Sequence, residues 1–208
     1  RTGQPIYELE GRTVGLIGLG YIGSELARKL RLAFNCRVLA YDPHVNRRLV
    51  HASGAELVET LPELLRQSQV LCCAAELTQE TRGMIGPAEL KLLPKDAVVV
   101  NAARGALIDV DALVAALDSG HLLGAGIDTT FPEPLPANHP LLKHPRVVLS
   151  PHTAGVTMEA TERLARSAAD QIFATLAGEL PTFALNPEAW EGKASRRPAK
   201  KTSRRSST

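Results

Sequence analysis

Short apolar segments without polar alternation recur along the chain, and segments with helical spacing separate them. We expect strands at Val14–Gly18, Arg37–Tyr41, Val70–Ala75, Ala97–Ala102, Leu122–Thr129 and Arg146–Ser150. Apolar strands joined by helices are typical of a parallel sheet that is covered on both faces. The pattern therefore predicts a doubly wound α/β fold, in which ligands bind beyond the carboxyl ends of the strands.

The sequence also predicts helices between these strands and after the last of them. Helical spacing over Ser24–Phe34 predicts a first helix, and Thr60 followed by Pro62 is typical of a helix start. Asp109 is a candidate cap for a helix over 111–119, and a long amphipathic helix is expected over Thr157–Leu176.

A glycine pattern follows the first predicted strand directly and leads into the first helix. Its members, Gly18, Gly20 and Gly23, have the spacing G-x-G-x-x-G. The first glycine permits a tight turn, the second lets a pyrophosphate approach the backbone, and the third lets helix and strand pack closely. The helix amino end then offers N–H groups to the phosphates. This setting predicts a Rossmann-type dinucleotide site, although such glycines also occur in other α/β turns, including methyl-donor-binding folds.

An acidic residue stands where such a site binds the adenosine ribose. Asp42 ends the second predicted strand, 19 residues after Gly23. Its carboxylate can accept hydrogen bonds from a ribose diol and would repel a 2′-phosphate, which favours NAD over NADP. Arg47 and Arg48 lie nearby but do not follow Asp42 directly.

Polar residues follow the later strands, where a parallel sheet would bring them to one edge. They are Arg104, Asp128, Glu133 and His152. A guanidinium can bind a carboxylate and polarise the adjacent carbonyl, and an imidazole can deliver a proton. A carboxylate against the other ring nitrogen favours imidazolium and fixes its orientation. The set suits hydride transfer to a 2-keto acid, with the hydride supplied by the cofactor.

Each of these residues also has a structural interpretation. Arg104 could be a solvated surface cation, and His152 a hydrogen-bonded structural histidine. Glu133 lies between two prolines and could simply be a polar loop residue.

Taken together, the motifs resemble the cofactor-binding domain of the D-isomer-specific 2-hydroxyacid dehydrogenases, from about Leu9 to Pro187. The segments that carry the resemblance are Val14–Gly23, Leu77–Gly83, Asn101–Gly105, Gly124–Asp128, Glu133-Pro134, Pro151–Gly155 and Leu185–Pro187. The resemblance implies an NAD-dependent oxidoreductase that interconverts a D-2-hydroxy acid and a 2-keto acid. It implies that Arg104 binds the substrate carboxylate and carbonyl, that His152 is the acid/base, and that Glu133 is its partner.

The resemblance also implies the cofactor contacts. Asp128 would hold the nicotinamide carboxamide with help from the backbone of Ala102 and Ala103, and the backbone of Tyr21 and Ile22 would contact the pyrophosphate. The full expected set is Gly18, Gly20, Tyr21, Ile22, Gly23, Asp42, Thr78, Ala102, Ala103, Asp128 and Gly155. We expect no metal ligands.

The chain departs from the family pattern in two places. Ala74, Ala75 and Glu76 stand where the family usually has His-x-Pro, so the loop beside the adenosine half loses a ring and a proline. Only 13 residues precede Val14, whereas family members carry a substrate domain there. Without that domain to close the cleft, positioning and electrostatic effects weaken. We therefore expect this chain to bind NAD but to turn over poorly or not at all.

The domain organisation follows from charge and composition. We expect one Rossmann domain over residues 1–187, in which 1–12 is a remnant of the inter-domain connection, and a basic tail over 188–208. Seven of the last 18 residues are basic and one is acidic, so this end carries +6 and the rest of the chain −4. Such a composition predicts disorder.

The remaining expectations concern partners and location. Three cysteines, two of them adjacent, argue against a disulfide framework and favour reduced thiols in the cytoplasm. No apolar run approaches the roughly 20 residues of a membrane span, so no membrane association is expected.

The resemblance implies a homodimer. Nucleic-acid binding is not expected, but a basic tail can contact phosphates. An NAD(H)-sensing, corepressor-like module or an inactive relative on the same scaffold therefore stays open.

Overall fold

The computed structural model describes residues 6–190 of the chain. Its strands are β1 (Thr13–Ile17), β2 (Arg37–Tyr41), β3 (Glu56–Leu57), β4 (Val70–Cys73), β5 (Ala97–Asn101), β6 (Leu122–Ile127) and β7 (Val147–Leu149). Its helices are α1 (Tyr21–Phe34), α2 (Arg47–Ser53), α3 (Leu61–Gln67), α4 (Pro87–Leu92), α5 (Val110–Asp118) and α6 (Met158–Ala177). Two short 3₁₀ helices lie at Gly105–Leu107 and Pro140–Lys143.

The strands form one parallel sheet in the order β3-β2-β1-β4-β5-β6-β7. After β1 the chain builds outward through β2 and β3, and then returns to place β4 on the other side of β1. The sheet is therefore doubly wound, as predicted. The reversal of strand order between β1 and β4 opens a crevice at their carboxyl ends, where such sheets bind ligands.

Apolar side chains cover both faces of the sheet. The adjacent residues Cys72 and Cys73 show this, because they belong to separate apolar clusters and successive strand residues point to opposite faces. Burial raises the pKa of each of these thiols to about 12, so both stay protonated. They serve as core residues, and all three cysteines are free.

Helix caps predicted from the sequence are present. The Thr60 hydroxyl accepts from the Glu63 N–H, and the Asp109 carboxylate accepts from two N–H groups in the first turn of α5. The elements α2 and β3 were not predicted. Both are short; Asn46 caps the amino end of α2, and Gly54 ends this helix in the left-handed region.

One buried hydroxyl offers a test of core energetics. Within residues 6–190, Thr129 Oγ1 is the buried side-chain polar atom without a hydrogen-bond partner, and the residue is 1% exposed. Because an unsatisfied buried group is destabilising, Thr129→Val should raise the free energy of unfolding by about 1 kcal/mol in urea denaturation. Thr130→Val is the matched control, since its hydroxyl donates to the Pro132 carbonyl, and it should lower stability. A loss of stability in Thr129→Val would contradict this account.

The described residues form two compact units, divided between Ala154 and Gly155. The first contains the whole sheet. The second contains α6, which Thr157 caps and Gly178 ends. None of the residues of α6 is buried, and its apolar side chains Leu164 and Phe173 are exposed.

The domain boundaries expected from the sequence stay a prediction, and residues 191–208 of the expected tail lie outside the described residues. Across residues 6–190, the structure contains no helix with the length and apolar character needed to span a membrane.

Candidate active site

The three glycines of the glycine-rich turn have different surroundings: two are closely packed against backbone atoms, and one borders open space. Gly18 has φ of +91°, and a Cβ atom there would lie 2.7 Å from the backbone nitrogen of Ala75. A Cβ atom at Gly23 would clash with the Gly18 carbonyl oxygen. At Gly20, by contrast, a Cβ atom would meet nothing within 4 Å. Two of the glycines are therefore needed for the turn and its packing, and the third borders an open crevice.

The amino end of α1 faces this crevice. Gly20 is its N-cap and supplies no side-chain hydrogen bond, and the first-turn N–H groups of a helix have no intrahelical acceptor. Tyr21 and Ile22, which follow it, are both exposed. This end of the helix can therefore donate backbone hydrogen bonds to a phosphate group.

Asp42 lies at the carboxyl end of β2 and braces the turn. Its Oδ2 accepts from the Leu19 N–H at 2.8 Å, and its Oδ1 accepts from the His44 N–H at 2.9 Å. The sequence did not predict the contact with Leu19. An ionised carboxylate has about four acceptor positions, so a ribose diol can still bind to Asp42.

The loop after β4 borders the other side of the turn. The Thr78 hydroxyl accepts from the Glu80 and Thr81 N–H groups, and so closes a turn within its own loop. The backbone of Ala74 and Ala75 packs against Gly18. Of the other expected cofactor residues, Ala102 is exposed, Ala103 is half-buried, and Gly155 belongs to the second unit.

The loop after β5 carries Arg104, which is exposed and whose Nη1 donates to the Ala103 carbonyl at 2.7 Å. The next residue, Gly105, lies so close to the Thr130 backbone that any side chain there would clash with it. This packing joins the loop after β5 to the loop after β6, which leads to Glu133.

Asp128, after β6, holds the loop that follows β7. Its Oδ1 accepts from the Ser150 hydroxyl at 2.5 Å and from the Thr153 N–H at 2.8 Å, and its Oδ2 accepts from the Ala154 N–H at 3.0 Å. Burial would raise the pKa of this carboxyl, but these hydrogen bonds and the nearby His152 lower it below its ordinary value. The sequence did not predict this clamp or the part that Ser150 plays in it.

His152 and Glu133 form the pair that the sequence predicted. His152 Nδ1 lies 3.0 Å from Glu133 Oε1, and both side chains are about half-exposed. Because a carboxylate only accepts, Nδ1 carries the hydrogen and Nε2 is left for another partner. His152 has φ of +56°, in the left-handed region. Its N–H donates to the Asp128 carbonyl at 2.9 Å, which helps to hold this strained backbone.

Backbone hydrogen bonds continue beyond the carboxyl ends of the neighbouring strands β5, β6 and β7. The Asp128 N–H donates to the Asn101 carbonyl, and the His152 N–H donates to the Asp128 carbonyl, both at 2.9 Å. The structure thus brings the loops that carry Arg104, Asp128 and His152 to one edge, beside the strand ends that border the glycine turn. A guanidinium and an oriented imidazole at one edge can bind a carboxylate and exchange a proton.

A separate cavity of about 450 Å³ lies at the opposite edge of the sheet. Residues around it include Glu8, Arg12, Gln69, Lys95 and Asp96, so charges of both signs line it. Within the described part of the chain, no group of three His, Cys, Asp or Glu side chains could hold a metal ion.

The chain is similar to known proteins both in sequence and in structure. A family model described as "D-isomer specific 2-hydroxyacid dehydrogenase, NAD binding domain" matches residues 1–154. Glyoxylate reductase of Aeropyrum pernix is 41% identical over 181 residues, which are 87% of this chain and 53% of that protein. The chain therefore spans about half the length of the curated relatives it matches.

Solved structures are similar over the same extent. D-lactate dehydrogenase with NAD+ from Lactobacillus jensenii superposes with a TM-score of 0.79 at 29% identity, covering 86% of this chain and 57% of that one. The apo form of D-mandelate dehydrogenase from Rhodotorula graminis has a TM-score of 0.77 at 32% identity, covering 85% and 51%.

Proposed function

The chain belongs to the D-isomer-specific 2-hydroxyacid dehydrogenases through their NAD-binding domain, and from that premise we propose that it interconverts a D-2-hydroxy acid and a 2-keto acid with NAD. NAD is the cofactor of this domain family, and the residues present fit it. The open space beside Gly20 supports placing the pyrophosphate there, and the acceptor positions left on Asp42 support placing the ribose there. The observation that carries the proposal is the His152–Glu133 pair, held at the same edge as Arg104 and the crevice.

In the proposed reaction each side chain has one task. Arg104 binds the carboxylate of the keto acid and draws electron density from its carbonyl oxygen. His152, protonated on Nε2, donates that proton to the carbonyl oxygen as it becomes a hydroxyl, and Glu133 stabilises the imidazolium through Nδ1. When bound, NADH would supply the hydride for the carbonyl carbon. In the reverse direction His152 Nε2 accepts the hydroxyl proton.

Support for the substrate class comes from the relatives. Several are named glyoxylate reductases, and others are named D-3-phosphoglycerate or D-lactate dehydrogenases. A small 2-keto acid is their shared chemistry. These enzyme relatives favour a dehydrogenase over the NAD(H)-sensing module. We propose further that the protein is a cytoplasmic homodimer; the free, buried cysteines are compatible with a reducing compartment.

The test uses NADH and oxamate, an unreactive analogue of a 2-keto acid. We expect the chain to bind NADH and the NADH-loaded chain to bind oxamate, measured by calorimetry. Arg104→Lys should weaken oxamate binding about tenfold or more, because a bidentate charge-assisted contact is lost. Unchanged oxamate affinity in Arg104→Lys would contradict the assigned role.

A second variant tests the proton donor. His152→Asn should keep the left-handed backbone, since Asn tolerates it, and should bind NADH normally. Because turnover by this chain is expected to be slow, glyoxylate reduction is followed in long incubations by NADH absorbance, and the variant should slow it by about 10²-fold or more. The exposed residue His51 provides the control His51→Asn, which should not change the rate. A His152→Asn variant as fast as the wild type would exclude His152 as the acid.

A further inference from the structure

Asn101 places a polar amide on the side of β5 that otherwise carries apolar, buried side chains. In β5 the side chains of Ala97 and Val99 enter the apolar core, and Asn101 continues the same alternation. It is 1% exposed. A polar group buried this deeply is destabilising unless it is hydrogen-bonded, so its contacts show what the amide does.

Both ends of the amide are bonded to the loop that carries Arg104. Asn101 Oδ1 accepts from the Ala103 N–H at 3.1 Å, and Nδ2 donates to the Arg104 carbonyl at 2.9 Å. The same carbonyl also accepts from the Leu107 N–H at 3.2 Å. The amide therefore spans the loop and fixes the backbone from which the guanidinium projects.

The opposite side of the loop is held as well. Gly105 packs against the Thr130 backbone, and the Asn101 carbonyl accepts from the Asp128 N–H. The main chain at Arg104 is thus fixed between the amide on one side and the neighbouring loop on the other. The Arg104 side chain itself is exposed, so its direction depends on this backbone.

We propose that Asn101 is a positioning residue that acts through Arg104 and sets the guanidinium for a substrate carboxylate. This inference rests on the proposed function of Arg104. A valine at position 101 would suit the strand and the core better, so the amide is explained by the loop it fixes. An asparagine that merely filled the core would have no effect specific to Arg104.

The first test is a double-mutant cycle in oxamate binding. Asn101→Val should weaken the affinity of the NADH-loaded chain for oxamate by about 10- to 100-fold, as expected for a misplaced contact. In an Arg104→Ala background the same substitution should change the affinity by less than about twofold, since the group it positions is gone. Equal losses in both backgrounds would overturn the proposal. Thr129→Val, a buried polar-to-valine change in the loop that follows β6, is the control and should leave oxamate affinity unchanged.

The second test needs no substrate. Trypsin cuts after arginine, so the rate of cleavage at the Arg104–Gly105 bond measures how often this loop becomes disordered. We expect mass spectrometry to show cleavage after Arg104 at least tenfold faster in Asn101→Val than in the wild type or Thr129→Val. Equal rates would overturn the proposal even if the chain does not bind oxamate. Absence of oxamate binding in the wild type would instead count against the proposed function.

A third variant guards against a folding defect. Asn101→Ser can still accept from the Ala103 N–H but is too short to reach the Arg104 carbonyl. If Asn101→Val does not fold, Asn101→Ser is expected to give the same loss of oxamate affinity and the same increase in cleavage, and wild-type values would overturn the proposal.

Discussion

Replacing Gly20 by alanine is expected to weaken NADH binding by about 10- to 100-fold, which corresponds to the loss of one charge-assisted hydrogen bond. The new methyl group would occupy the empty space beside the amino end of α1 and keep a phosphate from the backbone. The free energy of unfolding should fall by no more than about 1 kcal/mol, because neither a glycine nor an alanine side chain at this N-cap can accept a hydrogen bond and the space is open. Fluorescence titration and urea denaturation measure the two quantities.

The control is the same substitution three residues later. Gly23→Ala places its methyl group against the Gly18 carbonyl oxygen, which cannot move without distorting the turn. We expect it to lower the free energy of unfolding by about 3 kcal/mol, the range of overpacked sites. An alanine at Gly20 that destabilised the fold as much, or that bound NADH normally, would show that the crevice is not where a phosphate binds.

Asp128→Asn is expected to have the largest effect on stability outside the glycine turn. The carboxylate accepts three hydrogen bonds from the loop that carries His152. An amide keeps one acceptor oxygen and turns an NH₂ group toward an N–H donor. Because hydrogen bonds to charged groups each contribute about 1.5–3 kcal/mol, we expect a loss of about 3 kcal/mol in urea denaturation at neutral pH. An unchanged stability would contradict the clamp.

The pH dependence of that loss gives a second check. The pKa of Asp128 is lowered in the folded chain, so its contribution is present above the unfolded-state value of about 3.9 and disappears as the pH falls through the folded value. The stability gap between the wild type and Asp128→Asn should therefore narrow below about pH 4. Asp170→Asn, on the exposed surface of α6, is the control for the removal of one negative charge. A gap that stayed constant with pH would mean that the charge is not responsible.

The fold was largely predictable because its signals are local and repeated. The apolar segments, the glycine spacing and the cap residues Thr60 and Asp109 each fix one element. The short elements α2 and β3 were missed because seven and two residues carry little periodicity.

The candidate site was predictable only in part. The sequence placed Arg104, Glu133 and His152 after neighbouring strands, and the structure brings their loops to one edge. The sequence did not predict the roles of Asn101 and Ser150, because their contacts depend on the distances between loops. Asp128 was expected to hold the nicotinamide, whereas both of its oxygens bind the His152 loop. Its contact with the cofactor stays a prediction.

We propose that NAD binds across the carboxyl edge of the sheet, from the glycine turn to His152. The most direct measurement is an NADH titration followed by backbone amide NMR shifts. We predict saturable shifts at 18–23, 42–44, 101–104 and 150–154, and little change elsewhere in the sheet. Shifts confined to the cavity at the opposite edge, around Arg12 and Lys95, or no saturable shifts at all, would contradict the account.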